Sequence, residues 1–415
     1  MKALIVTRVS GFLPQFESNN VKILQDMGFE VHYAANFNTV VYGKDNHRLD
    51  GMGVIRHQID FERSPFSPGV RKAYCQLQQL MEQESFDLIH CHMPMSGVVA
   101  RMAAQAVRKK TGRKVPVLYT AHGLHFYTGA PLKNWIYYPV ERYLARFTDR
   151  LILINEEDYK RAQSFPVRGR VERIMGIGMK LDTLQSRIKT DYAVGRHVPS
   201  EEQDPAGDIY EKYDIPDHYG ILISVGEITQ RKNHIVMIDA MKELMDLPLV
   251  YLICGSGPWE EKLKAHVKEQ GLESRVKFAG YVDQVPAVLQ QADCFVFPSF
   301  QEGLPVAVME AMAVGLPVIA TRIRGITDLL EHTKGGYLAD DWEPENYAVK
   351  VRRMFSERGG KSGVSREERR REMGTWNRRK VQEFALPVVD KKMREIYGSV
   401  MEEFDENITD THVNL

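Results

Sequence analysis

CFVFPSFQEGLPVAVMEAMAVGLPVIATR, residues 294–322, changes character three times. CFVFPS is short, apolar and aromatic, with the composition of a buried strand. SFQEGLP is a loop. Pro305 suits the first turn of a helix and turns Leu304 away from helical angles. The segment from Val306 then reads as a helix that Gly315 and Pro317 stop, and LPVIATR is a second strand. Strand, loop, helix and strand in so short a span make one parallel βαβ unit.

The same alternation runs along the whole chain. In the first half KALIVT, EVHYAA, GVIRHQI, FDLIHCH, PVLYTAH and RLILIN read as strands, with helices over 19–27, 70–84 and 97–111 between them. In the second half YGILISVGE, PLVYLICG, VKFAG, CFVFPS and LPVIATR follow the pattern, with helices over 234–245, 259–270 and 285–291. Buried strands alternating with helices predict parallel sheets wound on both faces, here twice over. A length of 415 residues also exceeds one compact core. The expected fold class is α/β with two Rossmann-like, doubly wound domains. The first spans 1–186, a polar, proline-containing linker spans 187–218, and the second spans 219–375. An amphipathic helix over 376–404 closes the chain before a frayed tail at 405–415. Before that helix, ERGGKSGVSREERRREMG (357–374) reads only as a highly charged stretch.

Hydrophobic residues make up 43% and charged residues 27%, the proportions of an ordinary globular protein. No signal peptide is read at the start, and no apolar run reaches the ~18 residues of a membrane span. Cys91, Cys254 and Cys294 sit in strand-like runs as reduced core thiols, so a cytoplasmic protein is expected. The formal net charge is zero, yet residues 101–150 carry ten Lys/Arg against two Asp/Glu, and residues 201–250 carry eleven acids against four bases. The basic stretch is either a solvated face or a place where the protein rests peripherally on an anionic membrane. The interleaved aromatics of NWIYYPVERYLARFTDR (134–150) read first as a helix packed on its own sheet.

Open α/β sheets bind ligands beyond the carboxyl ends of their strands, so the chemistry is sought there. After YGILISVGE come Arg231 and Lys232, at the mouth of a helix whose free N–H groups and dipole favour an anion. That combination suits a diphosphate. CGSGPW (254–259) lacks the third glycine of a dinucleotide fingerprint, so its glycines read as a tight turn beside the ligand. Glu302 lies on the loop after its strand. Glu310 lies inside the helix among Val306, Val308, Met309, Ala311 and Met312, where a carboxylate is costly unless it is satisfied. A carboxylate accepts hydrogen bonds at two oxygens, so a vicinal diol is a fitting partner. His90 and His92 share a strand face. With no further ligand seen beside them they do not make a metal site, and no metal is expected.

These residues carry a resemblance. Glu302–seven residues–Glu310, with FVFPS before it and GLPVIAT after it, resembles the motif of family 4 retaining nucleotide-sugar glycosyltransferases. FDLIHCHMPMSG and YTAHGLHFY match the same group, closest to its bacterial capsular and exopolysaccharide members. The resemblance implies the GT-B fold, two Rossmann-like domains facing across a cleft that holds a nucleotide sugar. It implies ribose hydroxyls on Glu310, and the donor sugar and its phosphate on Glu302 and the Gly303, Leu304, Pro305 backbone. Lys232 would meet the diphosphate. His122 would face the donor sugar near the anomeric carbon, and Gly11, in the turn after the first strand, would lie near the phosphate. Glu227 stands where the family has an arginine. Either Arg231 replaces that charge or Glu227 engages the sugar or acceptor.

The implied reaction is transfer of a hexosyl or N-acetylhexosaminyl group, with retention, from a nucleotide-diphosphate sugar of UDP type to a lipid-linked or saccharide hydroxyl in cell-surface polysaccharide assembly. Catalysis would rest on His122, Lys232 and Glu302. No cofactor is implied beyond the donor, and no nucleic acid partner. Without a DxD-like pair beside a strand end, cations and helix termini rather than a divalent ion would hold the leaving diphosphate. Two alternatives stay open. One is a nucleotide-sugar 2-epimerase of similar fold; the other is a non-catalytic nucleotide-sugar-binding subunit, which the Glu227 departure invites. A nicotinamide dehydrogenase is the poorest reading, for want of the glycine fingerprint.

Overall fold

The computed structural model describes residues 1–181, 207–356 and 365–413, with side chains to residue 404. The chain forms two units, Met1–Gly178 with Leu386–Leu415, and Met179–Ala385. Most of the expected linker lies outside the described residues. Its last part belongs to the second unit, where Asp208 caps a short helix, Ile209–Lys212, and Gln291 accepts from the Ile209 N–H at 3.0 Å.

The first unit holds a seven-stranded sheet of β1 (Lys2–Val9), β2 (Glu30–Asn36), β3 (Val54–Gln58), β4 (Leu88–His92), β5 (Val117–Ala121), β6 (Arg150–Leu153) and β7 (Arg170–Arg173). The order is β3-β2-β1-β4-β5-β6-β7 and every pairing is parallel. The second unit holds β8 (Gly220–Val225), β9 (Leu249–Cys254), β10 (Val276–Gly280), β11 (Cys294–Phe297), β12 (Val318–Thr321) and β13 (Gly336–Ala339). Their order, β10-β9-β8-β11-β12-β13, is again parallel throughout. Both orders are the Rossmann order. Each sheet reverses its winding between two strands, β1 and β4 in one unit, β8 and β11 in the other. Ligands are expected beyond the carboxyl ends of those pairs. The central strands are buried along their whole length, β4, β5, β9, β11 and β12 among them, which explains their unbroken apolar runs.

The opening stretch folds as read. Pro305 caps the helix Val306–Val314, whose Val308, Met309 and residues 311–314 are buried. Gly315 ends it at φ +87°, with N–H bonds from Gly315 to Met312 O (3.0 Å) and from Leu316 to Ala311 O (2.9 Å). That pair of bonds is a Schellman turn. The charged stretch beyond 364 differs from expectation, because it is an ordered helix, Arg366–Lys380. Ser365 caps it by accepting from Glu368 N–H, and Arg378 donates to Val314 O at 3.2 Å, a cation at the carboxyl end of the 306–314 helix.

The chain rejoins the first unit at Leu386, later than the expected 376. There the helix Leu386–Val413 runs past the expected fraying point at 405, since no glycine or proline follows Gly398 to stop it. Tyr397 of this helix hydrogen-bonds His90 at 2.8 Å, and Glu403 pairs with Arg150 at 2.7 Å. Cys91, Cys254 and Cys294 are free and buried, as read. Among the described residues no helix is long and apolar enough to cross a membrane.

Candidate active site

At the switch point of the second sheet the chain leaves β8 through Gly226 and Glu227 and makes a 3₁₀ turn, Gln230–Lys232. It then enters the helix His234–Lys242. The Phe300 N–H donates to Arg231 O at 2.9 Å and pins this turn to the loop after β11. As a result Arg231 Nη1 (2.5 Å) and Lys232 Nζ (2.9 Å) both donate to one oxygen of Glu302, Oε1. Lys232 Nζ also lies 4.3 Å from the centre of the Phe297 ring. Burial lowers the Lys232 pKa, and the Glu302 charge opposes that shift. The backbone of the loop is held too, with Arg324 Nε donating to Glu302 O at 3.1 Å. Gly303, Leu304 and Pro305 continue this loop into the amino end of the 306–314 helix. Three of the expected residues thus meet in space, and Arg231 stands beside Lys232 where the missing arginine would be sought.

Glu227 lines an adjoining pocket of about 480 Å³ at the ends of β8, β9 and β10, with Gly226, Gly255, Gly257 and Tyr281. Glycine is required here for close packing: a Cβ on Gly255 would lie 1.9 Å from Gly226 O. The turn read from CGSGPW is therefore real, and its neighbour is this pocket. Glu310 sits in the helix as expected, its carboxylate without a hydrogen-bond partner among the described residues. Burial raises its pKa from 4.5 to about 7.

His122 and Gly11 belong to the first unit and flank the switch point of its sheet. Gly11 lets the turn after β1 pass under the 37–45 loop, since a Cβ there would lie 1.9 Å from Val41 O. Phe12 packs edge-on against the His122 ring at 5.1 Å. The sequence reading missed Glu17. It ends a π-helical turn, Leu13–Glu17, buried to 3% exposure, with Oε1 3.3 Å from His92 Nδ1 and 3.5 Å from His122 Nε2. His92 Nδ1 and His122 Nε2 are themselves 3.3 Å apart. Burial raises the Glu17 pKa to about 8, against the opposing hydrogen bond from Asn20. Burial also lowers His122 to about 4 and His92 well below its ordinary value.

This corrects the expectation that no further ligand group joins His92, because Glu17 and His122 do, with donor atoms within 4.8 Å of one another. His90 turns elsewhere, to Tyr397 and Thr120. A cation on His92 Nδ1 would force the proton onto Nε2, which is buried with no partner among the described residues. The three groups lie close enough to share protons among them.

Two Rossmann-ordered units, one presenting paired cations beside a carboxylate-bearing loop and the other a buried acid with two histidines, define a two-domain α/β protein. Two family models match, the glycosyl transferase 4-like domain over residues 18–175 and glycosyl transferases group 1 over residues 207–379. The chain is 32% identical over 405 residues to the putative glycosyltransferase EpsD of Bacillus subtilis (strain 168), covering 97% of each. It is 26% identical over 277 residues, 65% of this chain and 66% of the other, to the UDP-Gal:alpha-D-GlcNAc-diphosphoundecaprenol alpha-1,3-galactosyltransferase of Escherichia coli. The crystal structure of Anabaena Alr3699/HepE in complex with UDP-glucose shares the fold, with a TM-score of 0.71 over 96% of this chain and 100% of that one, at 17% identity. This chain belongs to that glycosyltransferase family, with the GT-B fold.

Proposed function

We propose that this glycosyltransferase takes its sugar from UDP and places it, with retention, on a hydroxyl of a lipid-linked saccharide during cell-surface polysaccharide assembly. The observation that carries the donor assignment is the convergence of Arg231 and Lys232 on Glu302 Oε1 at a switch point. As the anomeric bond breaks, negative charge grows on the departing diphosphate. Lys232, Arg231 and the N–H groups at the start of the 234–242 helix would take up that charge without a divalent ion. A diphosphate would draw the two cations away from Glu302 and leave that carboxylate for sugar hydroxyls. Glu310 would accept from the ribose diol with both oxygens. The neighbouring 480 Å³ pocket is within the usual range of small-molecule sites and suits the nucleoside. His122 would orient the sugar. The printed names of the relatives, with UDP-Gal as donor and a diphosphoundecaprenol-linked acceptor, support the donor and acceptor classes.

A membrane-borne acceptor agrees with one surface of the first unit. Leu132, Ile136, Val140 and Tyr143 are exposed, at 90%, 67%, 44% and 55%. Their spacing places them on one helical face, with Lys133, Arg142 and Arg146 nearby. Tyr138 on the other side packs against Phe126 and Phe165, so the segment is only half absorbed by its own core. We propose that this face rests on an anionic bilayer.

The test is a thermal-shift panel of nucleotide sugars, followed by incubation of the best donor with and without a diphospholipid-linked saccharide. UDP-sugar stabilisation and acceptor-dependent product are expected. Conversion of the donor without acceptor would replace transfer by epimerisation. Binding without turnover on any acceptor would make the chain a non-catalytic subunit.

A further inference from the structure

We propose that Glu17 is a positioning residue that sets which ring nitrogen of His122 carries the proton. The consequence for catalysis rests on the donor-facing role proposed for His122, whereas the tautomer itself does not.

Glu17, His92 and His122 come from three segments, the turn after β1, the last residue of β4 and the first residue after β5. Their facing atoms form a triangle with sides of 3.3, 3.3 and 3.5 Å. One arrangement of protons leaves no buried N–H of the cluster without an acceptor. Neutral histidine carries a single N–H. His92 Nε2 is buried and without a partner among the described residues in either tautomer, and an orphaned buried N–H is rarer than an unused acceptor. The His92 proton therefore belongs on Nδ1, facing Glu17 Oε1 and His122 Nε2. Asn20 Nδ2 donates to Glu17 Oε2 at 2.5 Å, so Oε2 is already an acceptor. When Glu17 is a neutral acid its proton thus sits on Oε1, and the acceptor left for it is His122 Nε2. Two donors then point at His122 Nε2, which must be bare. His122 carries its own proton on Nδ1.

Ionisation of Glu17 inverts this. A carboxylate Oε1 only accepts, so it takes the His92 Nδ1–H and favours a proton on His122 Nε2 as a second donor. Glu17 releases one proton to solvent, and His122 stays neutral while its proton moves from Nδ1 to Nε2. The side chain of His122 is 23% exposed, and Nδ1 has no partner among the described residues, so the change alters what the ring offers outward from donor to acceptor. The titratable groups facing Glu17 are His92, His122, Tyr33 on β2 and Tyr397 on the 386–413 helix. Burial lowers both histidines and raises both tyrosines, so all four are neutral around pH 7. With Glu17 raised to about 8 by burial, the exchange falls in the mildly alkaline range.

Long-range ¹H–¹⁵N spectra of the full chain with labelled histidine test this without any substrate, with His122→Asn assigning the signal. With a midpoint of about 8, His122 should be about nine-tenths Nδ1–H at pH 7 and about one-tenth at pH 9. In Glu17→Gln the side-chain amide remains a donor at every pH, so His122 should stay Nδ1–H throughout. Its rate–pH profile should lose the change that the unmodified enzyme shows across the same range. A His122 that is Nε2–H at pH 6.5, or one whose exchange is unchanged in Glu17→Gln, overturns the proposal. The first of these is read on the unmodified chain, so it stands even if the variant does not fold. Absence of transfer activity with intact tautomer exchange would instead count against the donor-facing role of His122.

Discussion

Replacing Glu310 by glutamine should make the second unit more stable and a poorer nucleotide binder. The Glu310 carboxyl ordinarily titrates at 4.5 and is raised to about 7 by burial among apolar neighbours. The folded chain therefore holds this proton over a pH range in which the unfolded chain has lost it. Stability falls as pH rises through that range, by about 1.4 kcal/mol per pH unit and about 3 kcal/mol in all, as an upper figure for a partly exposed side chain. Glutamine never ionises. Its advantage should be absent near pH 4.5 and complete by pH 8. For a unit of this size about 3 kcal/mol corresponds to roughly 6–12 °C in the melting midpoint. Differential scanning calorimetry at pH 5 and pH 8 reads the difference directly. The same variant should lose UDP-sugar protection, because glutamine offers one acceptor oxygen where the carboxylate offers two. Charge-assisted hydrogen bonds are worth about 1.5–3 kcal/mol each, so affinity should drop at least about tenfold. A melting advantage that is equal at both pH values would show that burial at position 310 does not hold the proton. Unchanged donor affinity would remove Glu310 from the ribose.

Lys232→Ala should lower kcat about 10²–10³-fold in steady-state assays, because the charge it meets grows as the bond breaks; a normal kcat would move the diphosphate role to Arg231 or elsewhere. EDTA should leave transfer rates unchanged, and a loss restored by a divalent ion would overturn charge stabilisation by cations and helix termini alone. Leu132→Glu with Ile136→Glu should reduce cosedimentation with vesicles containing anionic phospholipid while leaving turnover of a water-soluble acceptor analogue intact. Equal sedimentation would free that face from the membrane.

The parts of this architecture that were legible in the sequence depend on local rules. Pro305 and Gly315 bracket one helix by fixed dihedral preferences, and the central strands announce themselves because burial on both faces demands apolar residues throughout. Two strands escaped notice for the opposite reason. RVER of β7 is a short, half-exposed edge, and GYLA of β13 is four residues that begin with the second glycine of a pair, too brief for any period to show. The helix Arg366–Lys380 hid behind its charge, although Ser365 and Glu368 already spelled a capping box.

Glu17 illustrates a deeper limit. In FLPQFESNN it looks like an acid at the start of a surface helix, which is the ordinary place for one. Its burial depends on β4 and β5 arriving from far along the chain with His92 and His122 at their ends. Neither histidine seen alone implies a carboxylate between them. Glu302 shows the converse. Its motif spacing was legible, but a spacing does not say which cations share one of its oxygens. That Arg231 joins Lys232 on Oε1 follows from the Phe300 N–H holding the Gln230–Lys232 turn against the loop after β11. In both units the decisive side chains sit where neighbouring strands of one sheet diverge. The sheet order, rather than any single motif, is what turns separate residues into a site.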